Sequence, residues 1–399
     1  MGSGVEWYER LSKAVTLQGD DAALVVHGRF EPSGGRDARV FPPTYPVDAV
    51  ARDERQLPYV VEPRLVDGAE VPTVLLDSVQ SQSNRLEEAA ERAVREQRLG
   101  LPYLLVEHEL PTGQVVRISS FTAPHRYADA YFRDSLLDGV VFDKTELGRR
   151  LRAVTEDDAQ VLFEREPLSV LLGAWDTHRK GARPARFPRV YRSEIFGTRP
   201  EFGVRAAGRL DPHNITTAGV VTNPEQATDG SGGWEYVVGG KAKGAKPSAV
   251  GHGNIAPGAA HGGATVAEIR RVASLSMAGL ARLRFGDASA EAAHAARVAL
   301  AALALVLDRL TFEPAGLWLR SGCDLVTTSE QIAWQRRGGD LEPVSVTAAE
   351  AVALFGYARQ QAAEAGLVMS EEVVRLVPGP KNLAKALNHA YLAAEPEQA

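Results

Sequence analysis

Cysteine is nearly absent. Among 399 residues only Cys323 carries a thiol, which excludes an intramolecular disulfide and any cysteine-based metal cluster and predicts a small buried hydrophobe. No apolar run reads as long enough to cross a bilayer. Met1 to Trp7 has neither the basic start nor the apolar middle of a signal peptide, so a cytoplasmic protein is expected. Catalytic signatures are missing too. Gly239-Gly240-Lys241 lacks the earlier glycine and the following Ser or Thr of a phosphate loop. Glu107-His108-Glu109-Leu110 lacks the second histidine of a helical zinc site, and no Gly-x-Ser-x-Gly elbow occurs. No enzyme activity, cofactor or metal is expected.

An overall basic excess is also lacking. The formal net charge is −6, which argues against wholesale attraction to nucleic acid. The distribution is uneven, however. From His178 to Arg209 the chain carries Arg179, Lys180, Arg183, Arg186, Arg189, Arg192, Arg199, Arg205 and Arg209, opposed only by Glu194 and Glu201. Such a segment is either a solvated loop paired to acidic neighbours or a surface that tracks phosphates.

What the chain does have is a hydrophobic content of 44% with 24% charged residues, enough for a substantial core in one elaborated domain or two ordinary ones. Within it, Leu75-Leu76-Asp77-Ser78-Val79-Gln80-Ser81-Gln82-Ser83-Asn84-Arg85-Leu86-Glu87-Glu88 runs an apolar stretch into a block of amides and hydroxyls. Val74 to Leu76 can end a strand. Leu86, Ala89, Ala90, Ala93 and Val94 recur at the spacing of one helix face. The polar residues between offer donors and acceptors without a nucleophile and base, which suits gripping a polar ligand.

Elsewhere the pattern predicts a helix over Val5–Ala14, a strand over Ala22–Phe30, and an irregular excursion over 31–72 that holds seven prolines besides Gly34 and Gly35. Leu101–Glu107 and Gln114–Ser119 read as a hairpin. Helices are predicted over 127–137, 144–154, 265–283 and 288–310, and a buried strand over 168–175. Residues 211–263 read as a second irregular region, glycine-rich, with Lys241, Lys243 and Lys246 ahead of Gly251-His252-Gly253-Asn254. Those glycines permit positive φ or close backbone approach, and His252 and Asn254 supply polar edges. Arg270 and Arg271 follow. A strand near 317–319 and a final helix pair opening on the capping box Thr347-Ala348-Ala349-Glu350 complete the chain.

The order of the Leu75–Glu87 block, Trp175-Asp176, Arg192-Ser193-Glu194-Ile195 and Gly251-His252-Gly253-Asn254-Ile255-Ala256-Pro257 resembles a known family. It is that of the CRISPR-associated RAMP superfamily backbone subunit, the Cas-seven-like branch of subtype I-G, formerly I-U. The resemblance runs from about Ala22 to Leu319. It implies an α+β fold, 1–399, with an RNA-recognition-motif-like (ferredoxin-like) palm and added helices. Residues 31–72 would be a finger-like insertion, 178–263 a basic and glycine-rich insertion including the thumb, and 340–399 a C-terminal helical segment.

It further implies a noncatalytic guide-RNA-binding subunit that stacks with other copies of itself along the guide. Target DNA would be recognised through the guide, alongside other effector subunits and without a membrane. In relatives a serine- and glutamine-containing stretch holds guide phosphates, a place taken here by Ser81, Gln82, Asn84 and Arg85. Many relatives carry Lys-Arg where this chain has Asn84-Arg85, so more of the attraction is expected from Arg189, Arg192, Lys241, Lys243, Lys246, His252, Asn254, Arg270 and Arg271. Two alternatives stand beside this. Type III relatives cut RNA with an aspartate in a loop after the first palm strand, where Asp37, Asp48 and Asp53 lie here. A protein-only scaffold is the other.

Overall fold

The computed structural model describes residues 4–47, 57–176, 185–213, 215, 219–228, 232–238 and 243–392. The class is α+β, with two compact units: Met1–Pro200 with Thr265–Ala384, and Glu201–Ala264 with Lys385–Ala399.

The first unit is organised by an eight-stranded sheet. Its strands in chain order are β1 (Asp21–Pro32), β2 (Val61–Val66), β3 (Ala69–Asp77), β4 (Tyr191–Thr198), β5 (Glu268–Ser276), β6 (Gly316–Leu319), β7 (Cys323–Arg336) and β8 (Leu341–Val344). They lie in the order β6-β7-β1-β5-β4-β3-β2 with β8 against β7, and the recorded pairs are antiparallel. Helices α1 (Gly4–Ala14), α2 (Val79–Arg95), α3 (Ala290–Phe312) and α4 (Ala348–Glu364) accompany it, with α3 in contact with the other three.

Helix α3 is mostly apolar, with Asp308 and Arg309 near its end, and departs from the expectation that no run could span a bilayer. Its length and composition suffice, but 78% of its apolar window is buried inside the protein, so it is a core helix. The capping box is present at the start of α4, where the Thr347 hydroxyl and the Glu350 carboxylate each bond the other's backbone N–H. A second sheet of five strands contains the expected hairpin, Tyr103–Glu109 with Val115–Ser119, and joins it in parallel to Val373–Pro378. That strand divides the predicted final helix pair.

Four other readings change. Residues 265–283 hold β5 at the centre of the sheet, followed by a short helix, Met277–Ala281. Ile269, Arg271, Ala273 and Leu275 are all buried, a period of two that a buried arginine disguises. The run 168–175 is a helix, Pro167–Leu172, then Gly173 at φ 87° and a strand of only Ala174–Asp176. Pro167 starts the helix, and six residues are too few to carry a readable period. Within 31–72, β2 and β3 form a hairpin that places Pro63 opposite Pro72, where the ladder asks neither for an N–H. Residues 127–137 break into a short helix, Ala130–Arg133, and a strand, Ser135–Leu137.

The second unit is richer in strands than an irregular region would be. Glu201–Arg209 pairs with Ile255–Thr265, and Gly219–Thr222 pairs with Glu235–Val238.

Candidate nucleic-acid interface

The polar block Ser78–Arg85 opens α2, as the sequence predicts. Ser78 caps it by accepting from the Ser81 N–H at 3.2 Å. The next residues turn inward. Gln82 is fully buried; its Nε2 donates to Asp77, and its Oε1 accepts from the Ser193 hydroxyl at 2.7 Å. Arg85 folds back onto Asp77 through Nε at 2.6 Å and donates from Nη1 to the Trp318 carbonyl at 2.7 Å.

The connection continues into the core. Arg271 Nε donates to Ser193 Oγ at 3.0 Å, and its Nη2 donates to the Tyr191 hydroxyl at 2.8 Å and to Asp308. Its guanidinium lies 3.5 Å from the Phe312 ring centroid. Arg309 bridges Asp308 and Glu330. Gly28 permits the arrangement, because a Cβ there would stand 3.3 Å from that of Arg271. Burial alone would push the Asp308 carboxyl up, but Arg271, Arg309 and the Tyr191 hydroxyl outweigh it and hold the group at about 2.

This network is balanced in charge and largely buried, with Glu330 and Arg85 at its partly exposed ends. Gln82 and Arg271, expected to contact RNA, have no surface to offer it, and the Arg85 donors are taken up by Asp77 and Trp318. Of the four residues of the block expected to hold phosphates, half-buried Ser81 and exposed Asn84 remain accessible.

A different set of residues gathers beside the start of α2. A cleft of about 480 Å³ is lined by Val79, His125, Arg126, Gly173, Trp175, Arg186, Arg189 and Arg192 among others, and no Asp or Glu lines it among the described residues. Arg126 sits at φ 51°, a left-handed conformation that costs a non-glycine residue about 1–2 kcal/mol. It is held there by Glu87 at 2.6 Å and by the Gly173 carbonyl at 2.7 Å. A Cβ on Gly173 would come within 2.9 Å of Arg189 Cγ and 3.1 Å of the Phe187 carbonyl oxygen, so glycine is required there.

Arg189 Nε is buried with no hydrogen-bond partner among the described residues. Burial, then the charges of Arg126 and Arg192, push the Arg189 guanidinium below its ordinary value. Behind the cleft, burial outweighs Arg126 and raises Glu87 to about 7. Deeper still, Glu166 is pushed up to about 8 by burial, although Ser120 and the Leu104 N–H donate to it at 2.8 and 3.1 Å. The cleft is therefore undercompensated and cationic. It also adjoins the amides of Val79 and Gln80, which by position have no acceptor inside the helix.

Trp175 and Arg186 face each other on the ribbon of Ala174–Asp176 and Ala185–Phe187, with the guanidinium 5.8 Å from the ring centroid. Asp176 is buried and paired to Arg152 at 2.9 Å, and alternation along the strand turns Trp175 outward.

The remaining expected residues lie elsewhere. Arg270 is on β5 rather than a helix, and Asp67 and Glu268 hold its guanidinium. Its neutralised charge makes it a weaker phosphate ligand than an unpaired arginine. In the second unit, Gly251 and Gly253 do take positive φ, at 83° and 75°. The Asp211 carboxylate accepts from the Gly253 N–H at 3.0 Å, and Asn254 Oδ1 accepts from the Asp211 N–H at 2.6 Å, so Asn254 secures the turn. His252 is exposed, its ring 5.4 Å from that of Trp234, and Lys243 and Lys246 are exposed. Lys241, Arg179, Lys180, Arg183, Asp48 and Asp53 lie outside the described residues.

Sequence reasoning missed Arg126 as part of the cleft, since nothing local distinguishes it. Arg186 stood in the basic run and Trp175 in the Trp-Asp pair, but nothing in the sequence joined them. No curated protein matches the chain. Residues 24–200 match the model of a family described as CRISPR-associated protein GSU0053. Across that segment, which contains every lining residue of the cleft, the chain is similar to a CRISPR-associated protein family.

Proposed function

We propose that this chain is a noncatalytic guide-RNA-binding subunit of a cytoplasmic CRISPR effector of subtype I-G, built on an RNA-recognition-motif-like palm and stacked in several copies along the guide. The arginine-lined cleft at the start of α2 carries this reading: it combines fixed cations, helix-start amides and an exposed aromatic ring, the chemistry that grips a single-stranded backbone. The likeness of residues 24–200 to a CRISPR-associated family supplies the context. Other copies would add head-to-tail through an interface that does not close. Target DNA would be chosen by pairing with the guide, next to other effector subunits.

Binding of single-stranded RNA of guide length, titrated with salt, tests the assignment. Arg189→Ala and Arg192→Ala are each expected to weaken binding and to reduce the magnitude of the salt slope by about 0.7. Unchanged affinity and slope in both variants would remove the cleft from the interface. Complementary RNA incubated with the assembled complex and Mg²⁺ is expected to stay intact. Guide-spaced fragments would make the chain part of a nuclease.

A further inference from the structure

We infer that Trp175 and Arg186 form a subsite for one nucleobase turned out of its stack, while the phosphate beside it lies against Arg189 and Arg192; this rests on the cleft's being the RNA site.

Trp175 is 61% exposed in a chain that buries most of its large aromatics. Its position is fixed rather than incidental. Asp176, one residue on, is buried in an ion pair with Arg152, which is itself paired to Asp143 at 3.0 Å. Across the ribbon Ala185 and Phe187 are buried, so Arg186 must point to the same side as Trp175. The ribbon thus presents an indole and a guanidinium, two flat groups that stack on aromatic faces.

The rest of the cleft explains what such a pair would hold. Its volume of about 480 Å³ falls within the range of about 300–1,000 Å³ that takes a small ligand, and suits one nucleotide rather than a duplex. Among the described residues Arg189 offers a buried donor with no partner, and no carboxylate competes for it in the lining. A purely apolar occupant would leave that donor unsatisfied. An acidic peptide would satisfy it but would waste the indole face. A nucleotide, flat at one end and anionic at the other, uses both.

Stacking does not depend on charge, so the subsite and the phosphate grip can be separated. Trp175→Ala is expected to weaken binding of single-stranded oligouridine to the full chain by about 5- to 150-fold while leaving the salt slope unchanged. Trp175→Phe should recover most of the loss. Against a chain of abasic ribose phosphates, Trp175→Ala and the unaltered protein should bind alike. Equal losses on both ligands would show a packing role and overturn the subsite. If Arg189→Ala lowers the slope while Trp175→Ala binds oligouridine normally, the base subsite fails and the RNA reading survives. If neither variant changes binding, both fail. Photo-crosslinking of 4-thiouridine RNA to the unaltered protein needs no variant: a crosslink at Trp175 is expected, and crosslinks confined to other peptides would overturn the subsite.

Discussion

Arg271 is enclosed by Asp308, Glu330, Tyr191 and Ser193, whereas Arg189, two residues before Tyr191, feels the like charges of Arg126 and Arg192 with Glu87 opposing them among the described residues. The residue type is the same, and sequence alone gave both the same task. The surroundings divide them. Around Arg271, burial is matched by hydrogen bonds and counter-charge at each step from Arg85 to Glu330, so the group closes a core. Around Arg189, desolvation is left uncompensated, and a guanidinium in that state gains from any anion that enters. A basic cluster therefore becomes a ligand site through the acids it lacks.

The sharpest way to break this comparison is Arg271→Ala. Removing one partner leaves Asp308 buried beside a single remaining arginine, which should cost about 3–5 kcal/mol of stability, read as a lowered denaturation midpoint. RNA affinity and salt slope, measured on the folded fraction, should not move. A stable variant with lost RNA affinity would place Arg271 in the interface and dissolve the distinction.

Arg85→Ala gives a smaller effect of the same kind. Its bonds to Asp77 and the Trp318 carbonyl are worth about 1.5–3 kcal/mol as charged hydrogen bonds, again without a change in salt slope. A slope reduced by about 0.7 would return Arg85 to the phosphate contacts that the motif order implied.

The sequence made the junction legible because Ser78 to Arg85 combines a cap with a helix face that starts at Leu86, both local signals. It also showed α1, the hairpin of 103–119 and the capping box of α4. It hid β5, since the alternation of Ile269, Arg271, Ala273 and Leu275 includes a charge made tolerable by partners far along the chain, such as Asp308 thirty-seven residues further on. It hid the β2–β3 hairpin because Pro63 and Pro72 look like breakers until they are seen opposite one another. Half of the cleft was visible as the charge run containing Arg186, Arg189 and Arg192. The other half was not, because Arg126 and Gly173 reach it through contacts between distant parts of the chain.

The smallest effect expected concerns Glu87, which separates the two clusters in kind: it is a buried acid whose partner, Arg126, belongs to the cleft. Its folded-state value is raised from the ordinary 4.5 to about 7, by burial acting against Arg126. For stability, the neutral carboxyl's advantage is therefore fully present below the unfolded value and is lost as pH rises through about 7. For binding, the direction follows from the same proton. As pH falls through about 7, Glu87 is neutralised, Arg126 loses its counter-charge and the cleft gains one positive unit facing Arg189. RNA affinity at fixed salt should rise by about 3-fold between pH 8 and pH 6, the scale of one unit charge several ångströms away in water. Glu166, pushed up to about 8 and coupled to Glu87, titrates nearby and must be held constant. Glu87→Gln should bind at pH 8 as the unaltered protein binds at pH 6 and lose the step, whereas Glu166→Gln should keep it. A step that survives Glu87→Gln and disappears in Glu166→Gln would move the sensitive proton out of the cleft wall and into the core beneath it.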